Sequence, residues 1–329
     1  MRRFLLSLTI GLLIFAAVFW NTDWAVLWDA FRNANGFLIA LGFILTIAGV
    51  YFRAIRWRWF FWPQHERLRI GTLFDVVGIG YLINMLFPAR AGDVVRSYLL
   101  SGWHDGEPTL PQALSATVFE RLVDMLIIVV IVIGLLPFLP LPATLIRAGL
   151  LIGVGTVAVI IIASLLTIHP EWGRRQLTRV LRRVPRLHAD TWAQRLFSLL
   201  DSFAVMHAPG VLARILFWSV PTWGLTILTY WVVILAFGVD VPPTVAALTI
   251  VAAAFGLALP SPGGLGPFEG AVTAALLLVG IEENLARGVA LALHGVNFFG
   301  LIAAGLLGLA RRGMGYRQML AAMQSADER

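Results

Sequence analysis

The chain has no cysteine, and all 25 of its basic residues are arginine, so lysine is absent as well. The first absence excludes disulfides, thiol nucleophiles and cysteine-bound metals. The second excludes a Schiff-base lysine or a Walker lysine. Charge of either sign is scarce. Asp, Glu, Lys and Arg make up 13% of the 329 residues, where a soluble domain carries about 25%. The sequence contains no P-loop, no His-Glu-x-x-His and no Gly-x-Ser-x-Gly in a fitting context, so ATP hydrolysis and the commoner hydrolase chemistries lack support.

What is abundant is apolar chain: 59% of the residues are hydrophobic. A spanning helix needs roughly 20 apolar residues, which makes an all-α integral membrane protein the expected class. Residues 4–20, 37–52, 111–136, 143–168, 211–237 and 285–310 read as transmembrane helices. The first follows Met1-Arg2-Arg3 like a signal sequence. Trp20-Asn21-Thr22-Asp23 lacks the small residues of a cleavage site, so it reads as an uncleaved span. Two further apolar regions, 71–100 and 244–281, are broken by proline and glycine. Each is too long for one straight span and too short for two.

Arginine placement decides what those two regions are. The N-terminus has Arg2 and Arg3, residues 53–69 hold five arginines, residues 174–195 hold seven, and Arg311, Arg312, Arg317 and Arg329 close the chain. The segments 21–35, 137–142 and 238–243 carry one arginine between them, Arg32. Positively charged loops stay in the cytoplasm. All four rich segments fall there only if each broken region enters and leaves on one side. The expectation is therefore about six spans plus two oppositely oriented re-entrant hairpins, arranged as an inverted repeat. Residues 1–138 would form the first repeat, 139–310 the second with an amphipathic cytoplasmic segment at 171–208, and 311–329 a cytoplasmic tail. In the first repeat Trp24, Leu27, Trp28 and Phe31 share one helical face, as an interfacial helix would present them. The expected location is the cytoplasmic membrane of a prokaryote, with both termini inside.

Irregular backbone at membrane depth persists only where protein or a watery cavity satisfies it, and inverted repeats with broken helices are typical of secondary transporters. In the first broken region Phe87-Pro88-Ala89-Arg90-Ala91-Gly92 is the break and Asp93 suits a helix cap. Arg90 and Arg96 beside that helix start could hold a phosphate, or could instead snorkel to the surface. In the second, the run from Pro260 to Pro267 contains Gly263, Gly264 and Gly266, and Glu269 opens the return helix. Glu120 and Asp124 lie one turn apart on the next span with Arg121 beside them. Glu120 sits roughly 15 Å into that helix. Charges there must be paired or hydrated, so they either meet substrate or a proton, or form ion pairs with the first hairpin. His294 and Asn297 on the last span, and Tyr81 and Asn84 in the first broken region, are secondary candidates. Trp57, Trp59 and Trp62 among Arg53, Arg56 and Arg58 read as an interfacial anchor.

Three motifs carry a resemblance: Asn84-Met-Leu-Phe-Pro-Ala-Arg-Ala-Gly-Asp-Val-Val-Arg96, Glu120-Arg-Leu-Val-Asp124 and Leu259-Pro-Ser-Pro-Gly-Gly-Leu-Gly-Pro-Phe-Glu269. With them the chain resembles, over essentially its whole length, the transmembrane domain of lysylphosphatidylglycerol synthase/flippase proteins, the multiple peptide resistance factor group. It also resembles the stand-alone flippase-like membrane proteins related to them. The resemblance implies movement of a polar-headed lipid between leaflets. Lipid aminoacylation is not expected, since the chain ends at Arg329 without the cytosolic transferase domain. The expected partner is a lipid with an anionic or zwitterionic headgroup, with no nucleic acid, metal or cofactor. Homo-oligomers and enzymes of envelope-lipid synthesis stand as further partners. An enzyme using Glu120 and Asp124 as acid and base, or a scaffold acting through its arginine-rich segment, are the rival readings.

Overall fold

The computed structural model describes residues 2–87, 90–103, 108–139, 141–183, 189–200, 208–259 and 261–314. Expectations placed on Pro88, Ala89, Pro260, residues 184–188 and 201–207, and the tail beyond 314 lie outside them. Among the described residues the chain is all-helical: α1 (Arg2–Phe19), α2 (Trp24–Asn33), α3 (Gly36–Trp59), α4 (Ile70–Leu86), α5 (Ala91–Trp103), α6 (Leu110–Leu135), α7 (Ala143–Ile168), α8 (Pro170–Leu181), α9 (Ala189–Leu200), α10 (Val211–Ala236), α11 (Pro243–Gly256), α12 (Pro267–Leu278) and α13 (Glu283–Arg312).

Four helices, α3, α7, α10 and α13, are long and apolar enough to cross a membrane, and α1 with α2 would make a fifth if that pair, bent by 90°, is one span. The α6 helix matches α7 in length at 26 residues but carries Glu120, Arg121 and Asp124 within it. The bend after α1 has a local cause. Asp23 accepts from the N–H groups of Ala25 and Val26 and so starts a new helix. On α2, Leu27 is buried and Phe31 packs edge-on against Phe237, whereas Trp24 and Trp28 are exposed.

Each proline- and glycine-broken region folds as a helical hairpin. The α4 and α5 helices run side by side, with Gly92 against the Gly80 carbonyl. Their outer ends meet at Arg312, whose Nε donates to Asp75 Oδ2 at 2.8 Å and whose guanidinium lies 4.9 Å over the Trp103 ring. In the second hairpin a Cβ on Gly256 would come within 2.5 Å of the Pro267 carbonyl oxygen, so α11 and the start of α12 lie in close contact there. Ala247, Leu248 and Ala275 form a shared apolar cluster farther out.

The α13 helix relates the two hairpins. It begins just after α12, where Glu282 accepts from the N–H groups of Asn284 and Leu285. Those bonds hold the Glu282 carboxyl below its ordinary range. It ends at Arg312 on the outer end of the first hairpin. The hairpins therefore open at opposite ends of α13. Their tips converge: Gly263 packs beside the Met85 carbonyl at the end of α4. The α13 helix approaches α4 through Gly305 and Gly308 and α3 through Gly300, small residues that let helix backbones come close.

Candidate functional site

The charges of the first hairpin converge on α6. Glu120, fully buried, accepts from Arg56 Nη2 at 2.9 Å and Arg53 Nη1 at 3.3 Å on Oε1, and from Arg96 Nη2 at 2.6 Å on Oε2. One turn on, Asp124 pairs with Arg56 Nη1 at 2.7 Å and Arg53 Nη1 at 3.1 Å, and accepts from Trp223 Nε1 at 3.2 Å. Asp93 receives Arg121 in a fork, with Nη2 at 2.7 Å from Oδ1 and Nε at 3.2 Å from Oδ2. Asn84 ties the hairpin's two arms together. Its Oδ1 accepts from the Gly92 N–H at 2.8 Å, and its Nδ2 donates to Asp93 Oδ1 at 3.4 Å.

The elements explain the convergence. Arg53 and Arg56 lie three residues apart on α3 and so face one direction, as do Asp93 and Arg96 on α5 and Glu120 and Asp124 on α6. Ser219 and Trp223 on α10 close the far wall, Ser219 accepting from Arg56 Nη1 at 3.4 Å. The network grades from dry to accessible. Side-chain exposure is 0% for Arg56 and Glu120, 2% for Arg96, 15% for Arg53 and Asp93 and 23% for Arg121. Arg96 is further held 4.7 Å over the Trp57 ring. Arg53 stands 5.7 Å from the Tyr81 ring.

Arg90 differs from these. It sits at the hairpin tip with φ 54°, a left-handed conformation that non-glycine residues seldom adopt. It is exposed, and no hydrogen bond or ion pair engages its side chain among the described residues. Its carbonyl accepts from the Asp93 N–H at 3.0 Å, and its exposure places it at the accessible rim. Arg121, Asp93, Tyr81 and Asp124 lie within its electrostatic reach.

The second hairpin holds a separate pair. Glu269, fully buried, accepts from the Gly266 N–H at 2.8 Å and meets His294 Nδ1 at 2.6 Å. Gly263, Gly264 and Gly266 all have positive φ. At Gly266 any side chain would strike the Gly11 carbonyl of α1. Asn297 donates to the Leu293 carbonyl of its own helix at 2.8 Å and does not join the pair. Glu269→Ala leaves the Gly266 N–H without its acceptor and His294 without its partner. It should lower stability by about 2 kcal/mol, whereas Glu269→Gln keeps an acceptor for Gly266 and should lose less. Thermal unfolding of the detergent-solubilised variants reads the difference.

The family described as the Lysylphosphatidylglycerol synthase TM region matches residues 4–305. The chain belongs to that family. Among curated relatives, Glycosyltransferase AglD of Haloferax volcanii is 27% identical over 276 residues, which cover 73% of this chain but 43% of that protein. This chain thus spans less than half the length of that relative. A UPF0104 membrane protein of Methanothermobacter thermautotrophicus is 22% identical over 320 residues, 91% of this chain and 92% of that protein. No solved structure matches.

Of the residues singled out in the sequence, family motifs supply Asn84, Asp93, Arg96, Glu120, Arg121 and Asp124 to one network and place Arg90 at its rim. Gly263, Gly264, Gly266, Glu269 and His294 gather around the second hairpin. Four participants lay outside the candidate set: Arg53 and Arg56 on α3, and Ser219 and Trp223 on α10. Arg53 and Arg56 were expected in an interfacial anchor, but α3 continues to Trp59 and buries both Arg56 and Trp57 completely. Their spacing of three on one helix, which like the four-residue spacing of Glu120 and Asp124 on α6 places both side chains on one face, was the available signal.

Proposed function

We propose that this protein moves a polar-headed, phosphate-containing lipid between the two leaflets of the cytoplasmic membrane. The observation that carries the reading is the charged network at the inner face of a broken-helix hairpin whose tip meets the tip of a second hairpin opening the opposite way. Charged side chains within apolar helices are costly to insert and mark substrate paths when they line accessible protein interiors. Irregular backbone at the two tips fits the same kind of interior.

On this reading α1, α3, α6, α7, α10 and α13 cross the membrane. The α4–α5 hairpin enters from the cytoplasm and α11–α12 from outside. Residues 1–138 and 139–310 are then inverted repeats, each ordered span, surface helix, span, hairpin, span. The arginine-bearing α8, the start of α10 and the end of α13 lie at the cytoplasmic end with both termini. The headgroup passes along the accessible edge formed by Arg90, Arg121, Asp93 and Arg53 while the acyl chains remain in lipid. Family membership supports a lipid-related role, and a relative named as a glycosyltransferase is compatible with it. An acid–base enzyme at Glu120 and Asp124 gains less support, because guanidinium groups already occupy both carboxylates.

Purified protein reconstituted into liposomes with a fluorescent headgroup-bearing lipid should raise the fraction of label that crosses to the opposite leaflet above that in empty liposomes. A chemically altered lipid in the extract, with no change of sidedness, would replace this reading with the enzymatic one.

A further inference from the structure

The network has more positive than negative groups. Among the described residues, Arg53, Arg56, Arg96 and Arg121 face Asp93, Glu120 and Asp124, and Arg90 adds a further unpaired guanidinium at the rim. Donors outnumber acceptors more steeply. Four guanidinium groups offer roughly twenty N–H bonds, against about twelve lone-pair positions on three carboxylates. The imbalance is visible in the geometry. The Nε atoms of Arg56 and Arg96 are buried and have no hydrogen-bond acceptor.

The acidic side offers nothing in return. Each carboxylate on α4, α5, α6 and α12 has a basic partner within 4.0 Å: Asp75 with Arg311 and Arg312, Asp93 with Arg121, Glu120 with Arg56 and Arg96, Asp124 with Arg56, and Glu269 with His294. An ammonium entering this interior would meet only engaged carboxylates and, at the rim, three guanidinium groups of its own sign.

We infer that the site takes a headgroup of net negative charge, a phosphate bearing no amine, and discriminates against a cationic headgroup such as an aminoacyl ester. The inference rests on the translocation reading and narrows it. Arg90 makes first contact because its guanidinium is uncommitted and exposed. Arg121 and Arg53 follow, each keeping one carboxylate while turning remaining N–H groups to phosphate oxygens. Guanidinium suits this role, since its planar fork matches two phosphate oxygens at once. Specificity arises from repulsion as much as attraction, since the surplus positive charge opposes a cation that the carboxylates cannot compensate.

The test uses the full chain in liposomes with four labelled lipids: phosphatidate, phosphatidylglycerol, phosphatidylethanolamine and lysyl-phosphatidylglycerol. A parallel measurement reads, by native mass spectrometry, which of the four the purified protein retains. The expected result is that the two anionic lipids cross fastest and are retained most. The lysyl lipid should cross no faster than in empty liposomes. Arg90→Ala should reduce anionic transfer and retention roughly 10-fold, the worth of one charge-assisted bond, and Arg90→Lys should restore part of it. Transfer of the lysyl lipid at or above the anionic rate, or anionic transfer indifferent to Arg90→Ala, overturns the inference and leaves translocation standing. Retention of anionic lipid that depends on Arg90, without transfer of any lipid, sustains the headgroup assignment and overturns translocation. Neither retention nor transfer of anionic lipid overturns both.

Discussion

Glu120→Ala should destabilise the folded protein by about 3–5 kcal/mol, the usual consequence of removing one member of a buried ion network. The carboxylate is fully buried and joins Arg53, Arg56 and Arg96, so its loss takes from Arg96 (2% exposed) its one close carboxylate and leaves Arg56 (0% exposed) with Asp124 alone. Neither can reach water without unpacking. Glu120→Gln should cost less, because the amide keeps one acceptor oxygen while losing the charge. Combining Glu120→Leu with Arg96→Met should recover part of the loss, since removing both partners leaves no uncompensated charge between them. The variants are compared by thermal unfolding and by the monodisperse fraction in detergent. If Glu120→Ala unfolds no more easily than Glu171→Ala, whose side chain is 91% exposed, then the network contributes nothing to holding the hairpin against α6.

That result bears on how functional variants are read. Arg56, Arg96 and Glu120 are packed between α3, α5 and α6, so their substitution tests assembly before it tests transport. Arg90 and Arg121 lie nearer the accessible edge, and Arg90 has no partner to strand. A loss of transfer with normal unfolding is therefore informative at Arg90 and ambiguous at Arg96.

The broken regions were legible because backbone chemistry is local: proline lacks an N–H, glycine tolerates positive φ, and both register in one sequence. Glu120 was legible because a carboxylate ten residues into an apolar run has no water to turn to. Its partners on α3 were not. A span read from apolar content stops at the first arginine, residue 53, whereas the helix itself continues to Trp59, close to the Trp62-Pro63 break. What keeps Arg53 and Arg56 inside is charge supplied 64 to 71 positions away, and periodicity carries no record of so distant a partner. Trp57 was misplaced for the same reason. Taken alone it suits an interface, yet under Arg96 it is a buried cation–π floor. On α2 a shared apolar face was visible, but which of its residues would pack on Phe237 and which would remain exposed depended on α10.

Gly92→Ala should prevent the first hairpin from closing. A Cβ at Gly92 would overlap the Gly80 carbonyl oxygen and also press on Asn84 Oδ1 at 2.8 Å. The obstructing group is backbone of the neighbouring helix and has no flexible end to swing aside. Overpacking a core by a methylene costs about 1–3 kcal/mol when side chains can adjust. Here α4 and α5 must move apart, so the cost should reach or exceed the top of that range. Separation would also break the Gly92 N–H bond to Asn84 and displace Asp93 and Arg96 from α6, linking the backbone defect to the charge network. The control lies on the same helix. Gly102 has open space around its Cβ position, so Gly102→Ala should stabilise α5 by roughly 0.5–1 kcal/mol through helix propensity alone. Opposite signs from one chemical change, ten residues apart, would separate close helix approach from any general sensitivity of α5. Equal and small effects at both glycines would mean that α4 and α5 do not cross where Gly80 and Gly92 place them.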